Sequence, residues 1–248
     1  NLASQLFDGV IKLLKKRVIF TLLYDRDSFM LSRNFRLQKV GNLNWLQKNY
    51  NFSKIAFSID ELIVLNVSRE KWDENKFQDH VRLLTKECFV PITAGGGIRT
   101  LEQARKLLHS GSDNIVVNTL LAHAPEVVIE IAEEFGQQCV VVSIDVKQVE
   151  NTFTVWTENG SLRLEKSLSQ WLDHISKLPV GEIYLNSMDR DGTGHGYLLE
   201  LLDLIPPKLQ IPIILAGGAG NYHHLAAGLK DSRVDAVATA HLFNFVGD

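Results

Sequence analysis

The sequence predicts a single-domain α/β fold, a (βα)8 barrel of the TIM type made of two similar halves, and three observations carry that expectation. The first is an internal repeat. The stretch "PITAGGGIRTLEQARKLLHSGSDNIVVNTLL", from Pro91 to Leu121, returns as "PIILAGGAGNYHHLAAGLKDSRVDAVATAHLF", from Pro212 to Phe243. Ala94-Gly95-Gly96 matches Ala216-Gly217-Gly218, and Asp113 matches Asp235 at the same offset, half a chain away. A period this long means two half-domains built alike, because solenoid repeats run at roughly 20–50 residues. The second observation is a set of short runs that are apolar throughout, as parallel strands covered on both faces must be. The third is length: 248 residues is close to the typical barrel size of about 250.

In chain order, Leu6 to Lys15 has the apolar spacing of an amphipathic helix and forms an extension (residues 1–16) ahead of the barrel (residues 17–248). Since only His241 to Asp248 follow the last strand, that extension reads either as the eighth outer helix or as a solvent-exposed segment or partner contact. Arg17–Tyr24 reads as strand one, Asp25–Gln38 as a polar stretch, and Leu43–Tyr50 as a helix. Glu61–Val67 is strand two, with a helix at Glu74–Lys86; Phe89–Ala94 and Asn114–Val117 are strands three and four around a helix at Thr100–His109. A helix at Pro125–Phe135 leads to strand five, Gln138–Val146. Phe153–Glu158 with Asn159-Gly160 reads as a small hairpin. Helix Leu164–Leu178, strand six at Glu182–Met188, helix Tyr197–Leu204 and the second repeat copy complete the chain.

Composition narrows the function classes. A hydrophobic content of 45% supports a sizeable core, and a net charge of −3 does not advertise nucleic acid or an acidic membrane. Cys88 and Cys139 sit beside apolar runs and read as buried reduced thiols. No run reaches the roughly 18 apolar residues of a membrane span, and the first residues lack a signal-peptide pattern. A cytoplasmic globular protein is expected.

Barrel chemistry sits at the C-terminal strand ends. These present Leu23, Asn66, Gly95-Gly96-Gly97, Asn118-Thr119, Asp145 with Lys147, Asn186-Ser187, Gly217-Gly218 and Thr239-Ala240. Each glycine turn lets the backbone approach a ligand and suits a phosphate, or is a tight turn with nothing bound. Two such turns in symmetric halves point to a ligand phosphorylated at both ends. The loop from Asp189 to Gly196 faces the same mouth. Asp145 ends an apolar strand, where a charge needs partners or a task. The repeat places Leu23 at the equivalent position of the first half. His223-His224 lack metal-ligand spacing, and neither a metal nor a cofactor is expected.

The motifs "AGGGIRT", "QCVVVSIDVK", "NSMDRDGTGHGY" and "AGGAGN" resemble the cyclase subunit of imidazole glycerol phosphate synthase, over Arg17 to Phe245. That resemblance implies a barrel receiving ammonia from a separate glutaminase subunit docked at the opposite face. It implies one phosphate site at Gly97, Asn118 and Thr119, and another around Gly192, Gly218, Ala240 and His241. It makes Asp145 one of two catalytic acid/base residues, with Asn186 and Asp191 also on the active face. Arg17, Glu61 and Glu182 match three of the four charges around the ammonia entrance.

The departures are specific. The family's strand-one aspartate falls on Leu23, its loop lysine on Leu31, its strand-two aspartate on Asn66, and the entrance lysine on Asn114. Ring closure needs proton transfer on both sides of the reacting centre. The pattern resembles a paralogous branch found with lipopolysaccharide sugar-biosynthesis genes, whose implied role is ammonia supply for turning an acetamido sugar into an acetamidino one. Two alternatives stand beside it: an authentic cyclase of histidine biosynthesis with a rearranged acid/base set, and a non-catalytic scaffold that activates a glutaminase.

Overall fold

In the computed structural model, residues 16–49 and 58–240 are described. Among the described residues, twelve strands form one sheet, and eight of them close a parallel barrel. These are β1 (Arg17–Asp25), β4 (Glu61–Asn66), β5 (Ile92–Gly95), β6 (Asn114–Val117), β7 (Val140–Val149), β10 (Glu182–Ser187), β11 (Ile213–Ala216) and β12 (Ala236–Thr239). Closure comes from β10 pairing with β7 on one side while β12 pairs with β1 on the other. The expected barrel is therefore the observed one.

Alternation along each strand builds two cores. On β1, Phe20, Leu22 and Tyr24 face the outer helices, whereas Ile19 faces inward with Ile63, Val116, Val141 and Ile214. The outer layer includes α1 (Leu43–Asn49), α2 (Glu74–Glu87), α3 (Leu101–His109), α4 (Thr119–His123), α5 (Pro125–Phe135), α6 (Leu168–Ile175) and α7 (Tyr222–Lys230). Their starts are chemically marked: Asp73 caps α2, Thr100 caps α3, and Ser167 with Gln170 forms a capping box on α6.

The repeat acquires a structural meaning at its aspartates. Asp113 accepts from Ile92 N at 2.8 Å and donates its own N–H to Ile92 O at 2.7 Å. Asp235 makes the same two-way contact with Ile213, at 2.9 Å each way. Each aspartate thus ties the start of one strand to the start of the next in both halves.

Three sequence expectations are corrected. The stretch Asp25–Gln38 is not merely polar: β2 (Ser28–Arg33) and β3 (Arg36–Gly41) form a hairpin on the end of β1. The helix expected over Leu164–Leu178 is shorter, because β9 (Leu162–Ser167) pairs with β8 (Thr152–Thr157) before α6 begins. The helix expected over Tyr197–Leu204 is a 3-10 segment at Leu199–Leu204. The expected helix Leu6–Lys15 lies outside the described residues. Lys16, the first described residue, donates to the carbonyls of Leu229 and Asp231 at 2.6 Å each, capping the end of α7.

Candidate active site

The C-terminal strand ends surround a cavity of about 420 Å³. Its floor is the Thr21–Tyr184 hydroxyl pair, 3.1 Å apart across the barrel interior. Tyr184 was not among the expected site residues, although the alternation Glu182, Tyr184, Asn186 places it on the inward face. The side under β1 and β4 presents Leu23, Leu31, Leu65 and Val67 beside the polar Asn66 and Ser68. The opposite side contains the buried carboxylate of Asp145.

Asp145 stands on β7 between two amides. Asn186 donates to Oδ1 and Asn118 to Oδ2, both at 2.8 Å. Asp145 is 8% exposed. Burial pushes its carboxyl up to about 6, against the Asn186 bond; the nearby Asp191 charge pushes the same way, and the Asn118 bond opposes. Neighbouring Lys147 takes no part, lying over the Trp156 ring at 5.6 Å. A carboxyl titrating near 6, with both oxygens oriented, suits a group that takes and returns protons near neutral pH.

The expected phosphate residues gather on two sides of this cavity. Gly97, Asn118 and Thr119 line one side, and Gly192, Gly218 and Ala240 line the other; His241 is outside the described residues. The turns require glycine: at Gly96, with φ of 96°, an added Cβ would lie 2.0 Å from Asn66 O. At Gly218, with φ of 110°, it would lie 2.2 Å from Gly196 O. Asn118 and Thr119 already have partners, since the Asn118 amide holds Asp145 and the Thr119 hydroxyl accepts from Glu158 N at 3.1 Å. Asn66 lines the cavity with Oδ1 accepting from Ser68 N at 3.0 Å.

Two hairpins overhang the mouth. Leu31, Ser32 and Phe35 of the β2–β3 hairpin line the cavity, as do Glu158 and Asn159 from the turn between β8 and β9. Asp191 holds the first hairpin: its carboxylate accepts from the Ser32 hydroxyl and from Phe35 N, and its carbonyl accepts from Asn34 N. Burial raises the Asp191 carboxyl, opposed by the Ser32 and Phe35 bonds.

At the other end of the barrel, Arg17 joins Glu61 to Glu182. Burial works against the Arg17 charge, but the bonds to Glu182 and Glu61 outweigh it and its pKa is raised. Glu61 shares that one cation with Glu182, so burial leaves its pKa raised as well. Asn114 turns instead towards the Thr93 hydroxyl at 3.5 Å. Three of the four expected entrance residues thus form one connected cluster at the strand starts.

The chain matches the histidine biosynthesis protein family over residues 46–246. It is 48% identical over 234 residues to a protein of Parasynechococcus marenigrum provisionally named imidazole glycerol phosphate synthase subunit hisF2, covering 94% of this chain and 87% of that one. It is 41% identical over 186 residues to imidazole glycerol phosphate synthase subunit HisF of Chlorobaculum tepidum, covering 75% and 74% of the two chains. Against the HisF subunit of Chlorobium phaeovibrioides, identity is 36% over 234 residues, covering 94% and 92%. The chain therefore belongs to the histidine biosynthesis protein family, among the HisF-type cyclase subunits of imidazole glycerol phosphate synthase.

Proposed function

We propose that this barrel receives ammonia from a glutaminase docked at the Arg17–Glu61–Glu182 end and brings it to a phosphorylated ligand in the cavity around Asp145. The larger role is amidination of a surface-polysaccharide sugar. The observation that carries the departure from histidine biosynthesis is Leu23, which lies in the cavity wall where a second proton-transfer group would stand. Leucine neither accepts nor donates a proton, so Asp145 works without the strand-one acid. The two glycine turns do not depend on Leu23 or Asn66, and phosphate binding is retained in this reading. The glutaminase reading is supported by the clustered charges at the strand starts, an end where a barrel otherwise needs only stability.

A second reading keeps the ring-closing reaction with Asp191 as the second acid. It is favoured by one observation: Asp191 lines the same cavity, and its charge raises the Asp145 pKa. One assay separates the two, using purified protein, an ammonium salt and the precursor that HisF subunits cyclise. The first reading expects turnover about 10²–10⁴-fold below that of a HisF subunit, the usual contribution of a general acid or base. Turnover of roughly 1–10 s⁻¹, ordinary for a biosynthetic enzyme, establishes the second.

A further inference from the structure

Beside the first glycine turn, at the lip of the Asp145 cavity, Glu158 meets Arg99 and His123. Glu158 Oε2 lies 3.5 Å from Arg99 Nη2, and Glu158 Oε1 lies 3.4 Å from His123 Nε2. Each carboxylate oxygen thus serves a different basic group. The Glu158 backbone N–H also donates to the Thr119 hydroxyl at 3.1 Å, so that hydroxyl accepts there and keeps its proton to offer an anion. Glu158 sits in a tip whose residues Glu158, Asn159 and Gly160 all have positive φ, at 52°, 55° and 77°. Of these three only Glu158 pays for that conformation, since glycine and asparagine visit it readily.

We propose that Glu158 is a resident anion: it occupies Arg99 and His123 while the cavity is empty and yields them to the ligand's phosphate on binding. This rests on the reading that a phosphate binds at Gly97 and Thr119, and it adds Arg99 and His123 to that site. The exchange is favourable on general grounds. The three side chains are 46%, 41% and 54% exposed for Arg99, Glu158 and His123, and exposed ion pairs contribute little. An arginine bonds a phosphate through two parallel N–H groups, and a phosphate monoester carries more charge than a carboxylate. A Glu158 left in place beside a bound phosphate would repel it, so phosphate affinity depends on this side chain moving aside.

The test is titration of inorganic phosphate into the full chain at constant ionic strength. Amide resonances of Gly97 and Thr119 report the first turn, and that of Gly218 reports the second. Glu158→Gln, which preserves shape and the backbone N–H, is expected to tighten binding at the first turn about three- to tenfold. Arg99→Gln is expected to weaken it by a similar factor, with both variants unchanged at Gly218. Wild-type binding at Gly97 with neither variant changing it overturns the resident-anion role and leaves the phosphate site standing. No response at Gly97 or Thr119 in any of the three proteins overturns the phosphate reading, and this proposal with it.

Discussion

Asn186 donates to Asp145 Oδ1 from the residue directly beside it in the β7–β10 register, and Asn118 closes on Oδ2 from the β6 side. A carboxylate on the middle of three strands is thereby fixed by amides from both neighbours. The arrangement favours the ionised form, but each bond replaces water only in part, and burial still dominates. The balance leaves a carboxyl near 6 instead of one fully ionised at pH 5.

That balance has a consequence for stability. A folded-state value of about 6 against an unfolded value of about 3.9 means the folded chain binds this proton more tightly. Stability from this group is present below pH 4 and is lost as pH rises towards 6. In Asp145→Asn nothing titrates at this position. The stability of the variant relative to wild type is expected to grow by up to about 3 kcal/mol between pH 4 and pH 7. The constant offset from turning one amide donor against another does not alter that slope. Urea denaturation of both proteins across this range checks it, and a flat difference contradicts a raised Asp145 pKa.

Asn186→Leu removes the largest bond favouring the ionised form. The Asp145 titration midpoint is expected to move up from about 6, by on the order of one unit. The ¹³C shift of the side-chain carboxyl reports it directly. A downward or absent shift means the Asn186 bond does not help hold the charge.

Arg17→Ala leaves Glu61 and Glu182 half-buried with their shared cation gone. The expected loss at pH 7 is about 1–3 kcal/mol, after discounting for partial exposure. Protonating the two carboxylates relieves the repulsion, so the loss should shrink at pH 4. Adding Glu61→Gln to Arg17→Ala should recover part of it at pH 7. Thermal melts of the four proteins form the double-mutant cycle. Equal losses at both pH values would mean that packing of the arginine stem, not charge, is what was removed.

The barrel was legible because its strands are unbroken apolar runs and its halves repeat; strand four was read as Asn114–Val117, the observed β6. The β1–β2–β3 meander was not, because neither of its two turns contains glycine. Arg26 and Asp27 have φ of 42° and 67°, and Asn34 and Phe35 have 50° and 62°, left-handed values that no Asn-Gly or Asp-Gly pair announces. The β9 segment "LRLEKS" is exposed at the sheet edge and reads as helix by propensity, which is why the helix expected from Leu164 begins only at Leu168. The Ser167/Gln170 spacing of the capping box was the available corrective. Within the site, Asp145 stood out as a charge ending an apolar strand. Its two amide partners depend on inter-strand register, which a single sequence does not print.

The left-handed Asn34-Phe35 turn supplies the last prediction. Two consecutive non-glycine residues in that conformation cost roughly 1–2 kcal/mol each, and the hairpin keeps its shape because Asp191 supplies bonds in return. Its carboxylate accepts from Phe35 N at 3.0 Å and from the Ser32 hydroxyl, while its carbonyl accepts from Asn34 N at 2.9 Å. Asp191→Ala deletes the first two bonds and leaves the third available. The Phe35 amide is expected to exchange with solvent about ten- to a hundredfold faster, the equivalent of one or two bonds at about 1–1.5 kcal/mol each. The Val64 and Val142 amides, in the buried strands, should be unaffected. The same substitution removes a charge that raises the Asp145 pKa, so the Asp145 midpoint should fall below its wild-type value near 6. Hydrogen exchange and carboxyl titration on one variant thus read the hairpin and the acid separately. A faster Phe35 amide with an unmoved Asp145 midpoint would confine Asp191 to holding the hairpin. An unmoved amide would show that the strained turn is held by something else.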